Sequence, residues 1–61
     1  MKLLADWVGK TVEVTLRAAM PVTLHGVLLA VDEASILLEL PEGRTVVPVI
    51  SILHVSLREE A

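Results

Sequence analysis

Hydrophobic and polar residues alternate along much of the chain, a pattern that is typical of half-buried β-strands. The clearest case is Thr11–Arg17, in which the valines and the leucine fall on one face. The threonines, the glutamate and the arginine fall on the other face. Such a strand covers a core with one face and meets solvent with the other.

The stretch His25–Leu40 has a different pattern and is the centre around which we expect the chain to fold. After Gly26 both alternating faces are apolar as far as Val31. A strand of this kind must be covered on both sides, and 61 residues offer little material for that. A glycine inside a strand marks a bulge, a sharp bend or a close approach of backbones. We therefore predict a long, bent strand at Val22–Val31 whose second apolar surface meets another subunit.

Turn signals divide the remainder into short elements. Asp32–Ala34 is a polar turn, and Pro41–Arg44 places a proline and a glycine between two apolar runs. Pro48 lacks an amide donor and ends the fourth strand. The strands predicted between and after these turns are Ser35–Leu40, Thr45–Val47 and Ser51–Leu57.

The two ends of the chain have simpler patterns. Lys2–Val8 places apolar residues at helical spacing, and Gly9 supplies a stop, so we predict a short docked helix. Trp7 is the only aromatic residue, and we interpret it as a docking anchor. Arg58–Ala61 is predicted to be a charged, frayed tail.

Together these elements predict one all-β domain, residues 1–61, with one short N-terminal helix. The expected architecture is a small five-stranded, strongly bent antiparallel barrel of the SH3-like kind. An OB-like barrel is the alternative, but it carries a helix between strands three and four. Here that connection is a four-residue turn, so the SH3-like meander fits better.

Composition adds an expectation of self-assembly. The chain is 54% hydrophobic with a mean hydropathy of +0.72, more apolar surface than one small barrel hides. Strands four and five are short and apolar, and unpaired strand edges invite pairing. Joining strand four of one copy to strand five of the next is a head-to-tail contact, which closes into a homo-oligomeric ring when the rotation permits.

The sequence argues against a membrane partner. No apolar run reaches the roughly 18 residues that a spanning helix needs. Asp6 and the missing apolar core segment argue against a signal peptide at the N-terminus. We expect a soluble, cytoplasmic protein.

Charge and chemistry exclude several classes of function. The net charge of −3 gives no global attraction to nucleic acid, so RNA binding would have to be local. The chain has no cysteine, and His25 and His54 alone cannot make a closed metal site. Asp32 and Glu33 are adjacent in a turn, with no nucleophile or phosphate-binding loop nearby. We expect no enzyme activity, no metal and no cofactor.

Several spacings resemble the Sm-like family, and within it the bacterial Hfq branch. Gly26 is followed six residues later by Asp32, and Ile36–Leu38 comes after three more residues, as in Hfq. Ile50–Ser51 stands where the family has Ile-Ser before strand five. The similarity covers residues 3–57 and implies a ring of about five to seven subunits that binds single-stranded RNA at pore-facing loops.

The functional residues of that family are largely replaced. Its Lys-His pair falls on Val47 and Pro48, and its base-stacking aromatic falls on Ala34. The asparagine of Sm proteins is absent, and Ser35 is the nearest polar substitute. On the other face of such a ring, a tyrosine and a glycine that serve purines fall on Arg17 and Pro21. Stacking is worth about 1–3 kcal/mol per base, so these losses predict weak binding.

Two functions remain open. In the first, a ring binds RNA weakly; in the second, the ring is a protein-interaction or scaffold module that has lost its nucleotide pockets. His25, beside Gly26, and Arg44, in the turn before strand four, are further candidate contacts, although a solvated surface residue is the favoured interpretation of each. The candidate RNA contacts are Arg17, His25, Asp32, Ala34, Ser35, Arg44, Val47 and Pro48.

Overall fold

The chain folds into one antiparallel sheet of five strands, in the order β4-β3-β2-β1-β5. The computed structural model describes residues 2–58, so residues 59–61 of the predicted tail lie outside the described residues. A helical turn precedes the sheet, and a 3-10 turn links its last two strands. The elements are α1 (Lys2–Ala5), β1 (Thr11–Leu16), β2 (Val22–Val31), β3 (Ser35–Leu40), β4 (Gly43–Pro48), the 3-10 turn (Val49–Ser51) and β5 (Ile52–Leu57).

The second and third strands have the predicted bounds, and the other elements differ at their ends. β4 begins two residues earlier than predicted, at Gly43, and it includes Pro48, which lies opposite Ser35. Because β4 is an edge strand, no strand lies on its outer side. The missing amide donor of the proline therefore costs no hydrogen bond there. β5 begins one residue later than predicted, since Ser51 belongs to the 3-10 turn.

The N-terminal helix is shorter than predicted. Only Lys2–Ala5 is helical, and the following residues to Gly9 form turns. Gly9 has a φ of +89°, and its amide donates to the carbonyl of Leu28 at 2.7 Å. This bond ties the chain to β2. A helix this short has little stability of its own, so it does not extend as far as Gly9.

β2 exchanges one neighbour for another along its length. Its first half, Val22–Val27, pairs with β1, and its second half, Val27–Val31, pairs with β3. A register shift lies between Leu28 and Ala30. At Gly26 an added Cβ would lie 2.6 Å from the carbonyl oxygen of Glu39. Of the three alternatives that the sequence left open at this glycine, the structure therefore shows a close backbone approach.

The sheet is curved, because a very short connection joins its two edges. In a flat sheet the four intervals from β4 to β5 would separate these strands by about 19 Å. Pro48 and Ile52 flank a three-residue turn, so their Cα atoms lie at most about 14 Å apart. The sheet is nevertheless open, since β4 and β5 do not pair with each other within residues 2–58.

The core lies on the concave side and draws on every strand except β5. Partly buried residues of β5 and Trp7 pack against it, so Trp7 docks on the sheet as expected of an anchor. No polar side chain that the structure describes is buried. The buried core residues are Leu4, Val12, Val14, Leu28, Ile36, Leu38 and Val47.

Candidate functional site

Three connections meet at one end of the sheet. The amide of Val49 donates to the carbonyl of Ala34 at 2.8 Å, and the amide of Arg17 donates to the carbonyl of Ser51 at 2.7 Å. The 3-10 turn thereby holds the β2–β3 turn on one side and the start of the β1–β2 loop on the other. We call the surface formed by Arg17, residues 32–35 and residues 48–51 the turn end.

The turn end contains five of the eight candidate RNA contacts. Ser35 lies opposite Pro48 across the β3–β4 pair, which brings the β2–β3 turn beside the end of β4. The amide of Asp32 donates to the carbonyl of Ser35 at 2.9 Å, and its carboxylate accepts from the amide of Ala34 at 3.4 Å. Asp32 therefore closes the turn, as aspartate commonly does. The five are Arg17, Asp32, Ala34, Ser35 and Pro48.

Val47 was predicted to contact RNA, and the structure corrects this prediction. Its side chain is only 4% exposed and belongs to the hydrophobic core. On β4 the neighbouring Val46 and Pro48 alternate with it and point outward. A contact from position 47 would require the core to open, so only backbone and flanking side chains are available there.

His25 and Arg44 lie on the solvent-exposed face of the paired strands, which we call the open face, and not at the turn end. His25 is opposite Glu13, with Nε2 3.4 Å from Oε2. Arg58 shares the same carboxylate oxygen at 2.7 Å. Arg44 is opposite Glu39, with its Nε 3.6 Å from Oε2. A polyanion would have to compete with these carboxylates for the Arg44 guanidinium and the His25 imidazole.

Sequence reasoning did not foresee these ion pairs. Strand alternation places Glu13 and His25 on one face, but their register depends on the unpredicted pairing geometry of β1 with β2. Arg58 follows Glu13 by 45 residues and reaches it because β5 lies beside β1. Local patterns carry no signal for such a contact.

Exposed apolar side chains flank both edges of the sheet. Val46 on β4 is 64% exposed, and Leu53 on β5 is 49% exposed. Beside Val46 is a shallow concavity of about 330 Å³, and beside Leu53 is an apolar groove of about 320 Å³ that includes Trp7. The residues that line the second groove are Leu4, Trp7, Val49, Ile52, Leu53, His54 and Val55.

Neither metal-binding clusters nor spanning helices occur in the part of the chain that the structure describes. Residues 2–58 contain no group of three or more histidine, aspartate or glutamate side chains arranged to hold a metal ion. None of the described helical segments is long and apolar enough to cross a bilayer. The polar side chains at the turn end are two carboxylates, one guanidinium and the hydroxyls of Ser35 and Ser51.

Comparisons with known proteins add no relative to this picture. The chain matches no family model, no curated protein and no solved structure. Any assignment of class or function consequently depends on the geometry described above.

Proposed function

We propose that the chain is a subunit of an Sm-like ring, in which β4 of one copy joins β5 of the next. The observation that carries the proposal is the pair of unpaired strand edges, each flanked by exposed apolar side chains. An edge of this kind buries its backbone groups and apolar surface when another strand adds to it. Since the two edges differ, the contact is head-to-tail and closes into a ring when the rotation permits. The resemblance to the Sm-like family implies about five to seven copies.

Within that ring we infer a strongly bent, SH3-like barrel for each copy. Two features support it: β2 serves both halves of the sheet, and the 3-10 turn draws the two edges toward each other. The shape matters for function because a curved sheet presents its edges at an angle. Successive copies then turn around an axis instead of forming a flat ribbon.

The first candidate activity is weak binding of single-stranded RNA at the turn end. There Asp32, Ser35 and the backbone around Pro48 offer hydrogen-bonding groups in a repeated array. Affinity should be low, because Ala34 provides no stacking surface and stacking is worth about 1–3 kcal/mol per base. His25 and Arg44 are already paired with carboxylates.

The second candidate activity is a protein-interaction scaffold, and a specific observation favours it. The turn end combines two carboxylates with Ile50, which is 84% exposed, and Met20 in the loop that begins at Arg17 is 81% exposed. Carboxylates repel phosphates, whereas exposed aliphatic and thioether side chains suit protein contacts. A ring that repeats this surface would offer several equivalent docking positions.

One pair of measurements tests the proposal. Light scattering after size exclusion, at micromolar protomer concentration, should give a mass of about five to seven times 6.6 kDa. A stable monomer would refute the ring. A fluorescence titration with oligo-U and oligo-A at two salt concentrations then separates the activities, because phosphate contacts weaken steeply with salt. If a ring forms but has no measurable affinity for either oligonucleotide at low salt, RNA binding is refuted and the protein-interaction scaffold is the remaining candidate function.

A further inference from the structure

Two surfaces of the described chain carry several charged side chains each. On the open face of the sheet, cations and carboxylates pair within the copy, as the contacts of Glu13 and Glu39 illustrate. At the turn end, Arg17, Asp32 and Glu33 are exposed, and none of them makes an ion pair with another side chain that the structure describes. Three further exposed charges lie in other connections, also without an ion pair there: Asp6, Lys10 and Glu42.

The 3-10 turn lies between the two chain segments that carry the opposite charges of the turn end. The amide of Val49, at the start of this turn, donates to the carbonyl of Ala34, next to Glu33, and the amide of Arg17 donates to the carbonyl of Ser51 at its end. The backbones that carry the cation and the carboxylates are thus bonded to opposite ends of a three-residue spacer. In a head-to-tail assembly each copy offers one side to the copy before it and the other side to the copy after it. Opposite charges on these two sides are complementary in such a contact.

The apolar surroundings of these charges also point to a covering partner. Met20 lies in the loop that begins at Arg17, and Ile50 is the middle residue of the 3-10 turn. They are the two most exposed of the large apolar side chains described, at 81% and 84%. A neighbouring copy that covered them would also exclude water from a nearby ion pair, which strengthens the attraction between its charges.

We propose that Arg17 of one copy forms an ion pair with Glu33 of the next, so that ion pairs between copies close the ring at the turn end. Glu33 is the better partner, because the Asp32 carboxylate already accepts a hydrogen bond within its own turn. This inference rests on the proposed ring and assigns Arg17 to assembly instead of to RNA. The occupant of the surface is a second copy of this chain.

Charge reversal tests the pair. Arg17→Glu and Glu33→Arg should each weaken assembly, because like charges then meet at every joint. We expect the dissociation constant per joint to rise about two- to tenfold. The chain that carries both substitutions should assemble as the wild type does. Light scattering after size exclusion over a protomer dilution series, at low and high NaCl, measures the change.

A mixing experiment shows whether the pair lies between copies. When the Arg17→Glu chain and the Glu33→Arg chain are combined, alternating copies restore opposite charges at every joint of a six-membered ring and at all joints but one in a ring of five or seven, so rings should reappear. Restoration in the doubly substituted chain without restoration in the mixture would place the pair inside one copy and overturn the inference. Lys10→Glu is the matched control, because it reverses an exposed cation in the connection before β1, outside both edge strands and the turn end. It should leave assembly unchanged.

The remaining outcomes separate this inference from the proposed function. If the wild-type chain forms rings and both single reversals do so equally well, the ion pair is refuted and the ring stands. If Arg17→Glu keeps the ring intact but abolishes binding of oligo-A, Arg17 is an RNA contact and the inference is again refuted. A monomeric wild type at every concentration tested would remove both the ring and the ion pair.

Discussion

Gly26→Ala is the sharpest test of the fold, because the structure leaves no space for a side chain at this position. An added Cβ would lie 2.6 Å from the carbonyl oxygen of Glu39 and 2.7 Å from Cδ2 of Leu40. The Leu40 methyl group can move by changing its rotamer. The carbonyl cannot, because Glu39 is paired with Val27 in the β2–β3 ladder. The substitution must therefore distort the sheet where β2 exchanges partners.

The expected cost follows from measured overpacking. Inserting a methyl group into a closely packed region typically costs 1–3 kcal/mol. For a domain of this size each kcal/mol lowers Tm by about 4–8 °C, so we expect a decrease of about 4–24 °C. Urea unfolding followed by the fluorescence of Trp7, which packs against the core, measures the change. Protomer concentration must be held constant, because assembly contributes to apparent stability.

Two control variants identify the cause of this loss. Adding Leu40→Ala to Gly26→Ala removes the side-chain clash but keeps the backbone clash, so it should restore little stability. Gly43→Ala places a methyl group in open space at a φ of +141°, so only backbone strain of about 1–3 kcal/mol applies. If the free energy of unfolding of Gly26→Ala lies within 0.5 kcal/mol of the wild-type value, the substitution behaves like a typical surface substitution. The close approach at Gly26 would then be wrong.

Three further substitutions examine the core, the edge and the surface charges. Leu28→Ala empties a fully buried position and should lower the free energy of unfolding by about 2–5 kcal/mol in urea titrations. Val46→Lys places a charge on the exposed edge strand and should shift the light-scattering mass toward the monomer, while Val8→Lys, at another exposed apolar position, should not. Glu13→Gln removes the exposed partner of Arg58 and should cost at most about 1 kcal/mol, a loss that disappears in 1 M NaCl. A salt-independent loss would mean that packing, not charge, holds Arg58.

The sequence was informative where one local physical requirement dominates. The alternation through Thr11–Arg17 predicted a strand with Val12 and Val14 inward. The strand ends one residue earlier, at Leu16, and both valines are fully buried. Gly26 predicted a bulge, a sharp bend or a close backbone approach, and the structure shows a close approach there. The single antiparallel sheet of five strands followed from the turn signals, because each turn is too short for a crossover connection.

Contacts between distant elements were less predictable. The two halves of the turn end meet through hydrogen bonds of Val49 and Ser51, which lie in a 3-10 turn without a distinctive sequence pattern. Val47 was expected to reach a ligand because of its place in a family spacing, but strand alternation turns it into the core. Arg58 meets Glu13 only because β5 returns beside β1. Such contacts depend on how the strands pair in the complete sheet. The pattern of a few neighbouring residues carries no information about that pairing.

The three-residue 3-10 turn has one further consequence for a ring built in this way. The turn joins the two edge strands directly, and hydrogen bonds from the amides of Val49 and Arg17 hold its two ends. The angle between the edges sets the rotation from one copy to the next, which is about 72° in a ring of five and about 51° in a ring of seven. An insertion of one residue at Ile50 would alter this turn without touching the core. In the proposed ring, this turn would therefore contribute to the number of copies.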